Sequence, residues 1–479
     1  MLSTLFAVAL SLITLSSAST LPIVERDSGY LNLPIVATNW AGQTPGSKRQ
    51  DVPLANTLHG TLYLVNFTIG TPPQPVSVQI DTGSAETWVD PVCSTAGGPS
   101  KIALCNSLPV YHPASSSTGV RTGSSNVLSY GTGHATIDYY TDNFILGGTT
   151  IVAQKFGVAT SSQDIGSGIM GVGPELTGLT TYPLVIDQLA LQGKINSRAF
   201  SLDLRNVDDP NGSIIFGGVD TKKYTGHLEK RPIIPAASAP KGGDRYWIYM
   251  TSLGITKPGQ SPKSYTLSGG AQGQPVFLDS GATLSGLPPA LAAAIVADFP
   301  GATLDPSTNL YTVDCAVASQ AGTVDFGFGN TTIHVPYHEF IWRDPTGTCN
   351  VGVEVATDGE PVLGDSFLRA AYVVYDQDNQ NIHVANAANC GTNVVTIGKG
   401  PDAVPSITGA CNANSTAPTT PKTSTSPPSS PSPTKPGQST VTPKPTSTNP
   451  VQFTGDAGMM KMSVAAVVVA VLSTIAIGS

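Results

Sequence analysis

Val76-Ser77-Val78-Gln79-Ile80-Asp81-Thr82-Gly83-Ser84 is an apolar stretch that runs into an acid, a hydroxyl residue and a glycine. Val76, Val78 and Ile80 alternate, so as a strand they share one face, and Asp81 begins where the buried strand stops. Gly83 lets the backbone turn tightly beside the carboxylate. A solitary Asp-Thr-Gly would be an ordinary turn. A second copy changes the reading. Gln274-Pro275-Val276-Phe277-Leu278-Asp279-Ser280-Gly281-Ala282-Thr283 repeats the design behind a matching apolar stretch. Two similar lobes are expected, each offering one carboxylate from a tight turn.

The composition around these motifs suits strands and turns: 50 Gly and 39 Pro in 479 residues, with only 12% charged. A net charge of −8 argues against a nucleic-acid partner, which calls for a basic face. The six cysteines include no Cys-x-x-Cys pair and read as structural disulfides of an exported protein. Gly166-Ser167-Gly168-Ile169-Met170-Gly171 has the spacing of a dinucleotide loop but the wrong context. It follows polar Ser161-Ser162-Gln163-Asp164 and runs into Gly173-Pro174, where that loop would follow a buried strand and open a helix.

The paired motifs resemble those of the pepsin-like aspartic peptidases, and the likeness covers roughly residues 58–390. It implies an all-β, bilobal fold with the active site between two lobes, polypeptide substrates, a monomer, and neither cofactor nor metal. Asp81 and Asp279 would be catalytic, supported by Thr82, Gly83, Ser84, Ser280 and Gly281. Thr82 and Ser280 resemble the hydroxyl pair that ties the two catalytic loops together. Tyr130-Gly131-Thr132-Gly133 resembles the flap hairpin, and Trp88 the indole that bonds its tyrosine. Thr283 belongs with the substrate-binding set. Ile169-Met170-Gly171 and Val362-Leu363-Gly364 resemble the turns through which the catalytic loops are threaded. Tyr246-Trp247 resembles a substrate-side aromatic pair, with core packing the alternative. Six cysteines allow fifteen pairings. The likeness implies Cys93–Cys105 and Cys315–Cys349, which leaves Cys390 and Cys411 to each other. Ala282 departs from the pattern, standing where relatives often carry a hydroxyl beside the second carboxylate.

The ends speak of export. An apolar run from Leu5 to Leu15 followed by Ser16-Ser17-Ala18 reads as a signal peptide, 1–18. Residues 19–49, polar and closing on Lys48-Arg49, read as a pro-segment cut by a processing endopeptidase. The lobes are placed at 50–235 and 236–398, and a Ser/Thr/Pro-rich glycosylated stalk at 399–454. Within the stalk, 28 of the 39 residues from 412 to 450 are Pro, Ser or Thr, too few apolar groups to bury a core. Residues 455–479 match a glycosylphosphatidylinositol (GPI) signal, small residues at Gly455 and then a spacer and an apolar tail, so the chain is expected at the cell surface, anchored to the membrane. Sequons stand at Asn66, Asn211, Asn330 and Asn414. This surface arrangement resembles the fungal yapsin group. The competing reading is a catalytically silent structural or adhesive wall glycoprotein on the same fold.

Overall fold

The alternation at Val76, Val78 and Ile80 folds as the strand Gln74–Asp81, with all three side chains buried. The computed structural model describes residues 29–38 and 62–411, apart from 175–179, 210 and 345. The signal peptide, Lys48-Arg49, Asn414 and Gly455 lie outside the described residues.

The duplication read in the motifs extends to topology. In the first lobe Leu62–Ile69 pairs antiparallel with Gln74–Asp81, which pairs parallel with Gly168–Gly171. That short strand is antiparallel to Thr87–Val89, itself parallel to Thr149–Gln163. In the second lobe Trp247–Met250 pairs antiparallel with Gln274–Leu278, which pairs parallel with Val362–Leu363. Val362–Leu363 is antiparallel to Ser285–Leu287, itself parallel to Val353–Val355. The same five-strand order thus frames both acids. The dinucleotide-like Gly166–Gly171 stretch serves here as a strand and a support for Asp81.

A 13-stranded sheet crosses between the lobes. Ala371–Asp376 and Asn381–Ala387, late in the chain, join it beside Ala199–Asp203 and Tyr224–Pro232. All six residues of Ala371–Asp376 are buried, so both faces of this strand are covered. Two further four-stranded sheets complete the second lobe. Two helices flank these sheets, Val185–Leu191 and, started by proline, Pro289–Val296.

Two segments pack in ways the sequence reading did not foresee. The strand Leu31–Thr38 lies inside the expected pro-segment, yet it fills a central place in the large sheet. It pairs with Asn211–Phe216 on one side and Leu62–Ile69 on the other. Leu31, Leu33 and Ile35 alternate and are buried, a period-2 signal that a polar reading of 19–49 passed over. At the other end the stalk does not begin at 399. Ile397, Ala403 and Val404 pack in a cluster with Tyr224 and Tyr372. Gly409 N–H and Ala410 N–H donate to Gly226 and Thr221 carbonyls, both at 2.7 Å. The body therefore runs to Cys411.

Candidate active site

Each acid ends a strand whose parallel neighbour fixes its backbone. Val172 N–H donates to the Asp81 carbonyl at 2.8 Å, and Asp279 N–H donates to the Leu363 carbonyl at 3.0 Å. The next residues lock the two loops to each other. Thr82 N–H donates to Ser280 Oγ at 3.2 Å, and Ser280 N–H donates to Thr82 Oγ1 at 2.9 Å. The hydroxyls then donate onward, Thr82 Oγ1 to the Leu278 carbonyl at 2.9 Å and Ser280 Oγ to the Ile80 carbonyl at 3.0 Å. Thr82 and Ser280 are buried, so each hydroxyl is used as donor and acceptor with nothing left unpaired. Gly83 and Gly281 are required by close approach. A Cβ on Gly281 would stand 2.6 Å from Asp81 Oδ1, and one on Gly83 would strike the Asp279 carboxyl.

The two carboxyls differ in surroundings. Asp81 Oδ1 accepts from Gly83 N–H at 2.8 Å, and Oδ2 accepts from Ser84 Oγ. Asp279 Oδ1 accepts from Gly281 N–H at 2.7 Å, and at the matching position Ala282 offers no hydroxyl. Burial pushes Asp279 well above the ordinary carboxylate range, and the neighbouring Asp81 charge pushes it further. The Gly281 N–H and the more distant Arg245 guanidinium oppose that rise. The pair is arranged to hold one proton, because two like charges in contact cannot both form cheaply.

Tyr130 lies in the turn between the strands Val120–Ser129 and His134–Leu146. Trp88 Nε1–H donates to Tyr130 Oη at 2.8 Å, and Tyr130 N–H closes the hairpin on the Gly133 carbonyl at 2.8 Å. Gly131 and Thr132 are exposed at the tip. Burial, then the Asp81 charge, holds the Tyr130 phenol above its ordinary value, so it stays a neutral hydroxyl. Thr283 is half-buried, and its carbonyl accepts from Ser366 N–H at 3.0 Å.

Two neighbours of the site escaped the sequence reading. Glu86, buried five residues after Asp81, accepts from Tyr139 Oη at 2.5 Å and Tyr182 Oη at 2.7 Å. Asn126 Nδ2 reaches its other oxygen at 3.5 Å, so the flap strands are tied to the first motif loop. Burial and its bond to Glu86 push Tyr139 up to about 12. The signal was a lone acid among Ala85, Thr87, Trp88 and Val89, all now buried. Arg245 is the second: its Nη1 donates to the Gly83 carbonyl at 2.6 Å.

The remaining predicted residues fall as follows. Three disulfides join Cys93 to Cys105, Cys315 to Cys349 and Cys390 to Cys411. Asn66 and Asn330 are exposed, and Asn211 begins the strand Asn211–Phe216. Tyr246 and Trp247 are core residues with no face to a substrate. Both are fully buried, Tyr246 Oη donates to the Val172 carbonyl at 2.6 Å, and Trp247 packs edge-on against Phe277.

Two acids held across a duplicated β framework by reciprocal hydroxyl bonds, beside a tyrosine-bearing hairpin, define the aspartic peptidase class. The chain belongs to the eukaryotic aspartyl protease family, whose model matches residues 62–387, and is an aspartic-type endopeptidase. It is 35% identical over 381 residues to the probable aspartic-type endopeptidase opsB of Aspergillus fumigatus, covering 75% of this chain and 76% of that protein. It is also 35% identical over 350 residues to secreted aspartic protease 8 of Candida albicans, covering 71% of this chain and 80% of that one. The crystal structure of the aspartic proteinase from Irpex lacteus superposes with a TM-score of 0.53 at 24% identity, covering 74% of this chain and 97% of that one, which shows the shared fold.

Proposed function

We propose that this endopeptidase hydrolyses peptide bonds through Asp81 and Asp279, at acid pH and outside the cell. The observation that carries the reading is the asymmetric carboxyl pair: Asp81 accepts from Gly83 N–H and Ser84 Oγ, whereas half-buried Asp279 accepts from Gly281 N–H and has Ala282 where a hydroxyl would stand. In the resting pair Asp279 carries the proton and Asp81 the charge. Asp81 takes a proton from a water lying between them as the water oxygen attacks the scissile carbonyl carbon. Asp279 gives its proton to the carbonyl oxygen, forming a neutral tetrahedral diol. Collapse of the diol breaks the C–N bond: Asp81 gives its proton to the leaving nitrogen while a diol hydroxyl gives its own to Asp279, which releases the acid and amine and restores the resting pair. No covalent enzyme intermediate forms. The Tyr130 hairpin closes over the peptide and excludes bulk water.

The ends give the setting. Residues 1–18 direct export, cleavage after Lys48-Arg49 activates the enzyme, and the Ser/Thr/Pro-rich segment after Cys411 is a glycosylated stalk leading to a GPI anchor at Gly455, as in the yapsin group. The name of the Candida albicans relative, a secreted protease, supports the extracellular placement. The protein works as a monomer on polypeptides.

The test is cleavage of a mixed peptide library by the secreted protein between about pH 3 and 7, with Asp81→Asn, Asp279→Asn and pepstatin as controls. Cleavage in acid that all three abolish supports the dyad. Failure of correctly folded protein to cleave any peptide refutes it and leaves the adhesive reading.

A further inference from the structure

Arg245 belongs to neither motif. It sits in Asp244-Arg245-Tyr246-Trp247, the approach to the strand Trp247–Met250 of the second lobe. Its guanidinium makes three contacts. Nη1 donates to the Gly83 carbonyl at 2.6 Å, in the turn that follows Asp81. The guanidinium carbon stands 4.9 Å from the centre of the Phe277 ring, two residues before Asp279. Nη2 lies 3.9 Å from Glu360 Oε2, just ahead of the Val362–Leu363 strand that supports Asp279. The backbone is held too: Trp247 N–H donates to the Arg245 carbonyl at 2.8 Å.

One side chain of the second lobe thus touches the first motif turn, the second motif strand and the segment behind it. We propose that Arg245 is a positioning residue of the dyad, holding the Gly83 turn against the second lobe and so fixing the alignment of the two carboxyls. The proposal rests on the reading of Asp81 and Asp279 as the hydrolytic pair. The Glu360 contact is too long to carry the anchorage, since a half-exposed pair at that separation contributes little. The Gly83 bond and the stacking on Phe277 carry it. Both use the flat, fixed geometry of a guanidinium, which an ammonium on a flexible stem does not reproduce.

The cation also bears on the shared proton. The groups that act on Asp279 are Asp81 on the opposite loop, the Gly281 N–H and Arg245, and Asp279 in turn helps to raise Asp365 on the adjoining short helix. Tyr375, from the inter-lobe sheet, is held above its ordinary value by burial and then by Asp279. Glu360 reaches the same Arg245 guanidinium. A positive charge here favours loss of the Asp279 proton, so its removal delays that loss to higher pH.

The test compares Arg245→Lys and Arg245→Gln with the native protein, with active molecules counted by tight-binding inhibitor titration. Both variants should lose about tenfold or more in kcat with KM little changed, the signature of misaligned reacting groups. Arg245→Lys keeps the charge, so the alkaline limb of its kcat profile should stay in place. Arg245→Gln should move that limb upward by about half a unit. Variants that melt earlier but keep native kcat and an unmoved limb would show a merely structural residue and overturn the proposal. Infrared difference titration of the Asp279 carboxyl, assigned with Asp279→Asn, needs no turnover. If the native protein cleaves nothing, the hydrolytic reading fails, and an Asp279 band unmoved by Arg245→Gln overturns the proposal independently.

Discussion

Replacing Ala282 with serine should move the upper end of the pH–activity profile downward. Three residues after Asp81, Ser84 Oγ donates to the carboxylate, whereas Asp279 has only a methyl at the equivalent place. A hydroxyl donor favours the charged form of the acid it reaches, and bonds to charged groups are worth about 1.5–3 kcal/mol. Ala282 is half-buried, so solvent competes for the new hydroxyl and the lower end of that range applies. About 1.4 kcal/mol corresponds to roughly one pKa unit. Asp279 must keep its proton for the pair to act, and activity is lost as pH rises through its folded value. Ala282→Ser lowers that value, so the alkaline limb of kcat/KM should fall by about one unit while the acid limb stays. The assay is a kcat/KM profile on one soluble peptide for both proteins, in buffers of matched ionic strength. Superimposable alkaline limbs, with the serine verified in place, would refute the claim that the missing hydroxyl helps to hold the Asp279 proton.

Three further outcomes follow from contacts described above. Tyr130→Phe leaves the buried Trp88 Nε1–H without its acceptor, which at about 1–2 kcal/mol is a roughly five- to thirtyfold loss in kcat/KM; a variant within twofold of native would remove this bond from the flap's role. Burial pushes Asp90 and Asp203 up to about 6, so the folded state binds their protons more tightly than the unfolded chain. That stability is fully present below their ordinary value of 3.8 and is lost as pH rises through 6. His383, held down to about 4 by burial and Lys230, works in the opposite sense, one group against two. Calorimetry should therefore show Tm falling from about pH 4 to 6, and a rising Tm would contradict the balance. Finally, cleavage after Lys48-Arg49 should leave the fragment that carries Leu31–Thr38 bound, because that strand is paired on both edges. Native gel filtration followed by denaturing mass spectrometry would find it co-eluting, and its loss would show that the strand is exchangeable.

The framework of the site was legible because its signals are local and repeated. Alternation ending at Asp81 and again at Asp279 announced two strands and two turns, and one family likeness then supplied partners for Thr82, Trp88, Tyr130 and the cysteines. What stayed hidden depends on distant chain. Leu31, Leu33 and Ile35 form a short alternation whose partners lie at 62–65 and 211–216, so a reading of neighbours alone had no reason to place it in a core. Residues 399–411 look like the start of a linker until Ile397, Ala403 and Val404 meet Tyr224 and Tyr372. Tyr246 stayed open between a substrate face and the core because two adjacent aromatics carry no information about which way they face. Arg245 and Glu86 act through single contacts between segments, and a single charge has no periodicity to reveal it.

The closure of the chain at Cys411 has a mechanical meaning. At Cys411 a force applied along the chain from its C-terminal side meets the covalent bridge to Cys390. From there it passes to Val394–Thr396, zipped antiparallel to Gly218–Asp220, and to the edge of the large sheet near Tyr224. None of those strands carries Asp81 or Asp279. Load entering at Cys411 would therefore fall first on one covalent clasp, on strands that lie apart from the loops aligning the two acids.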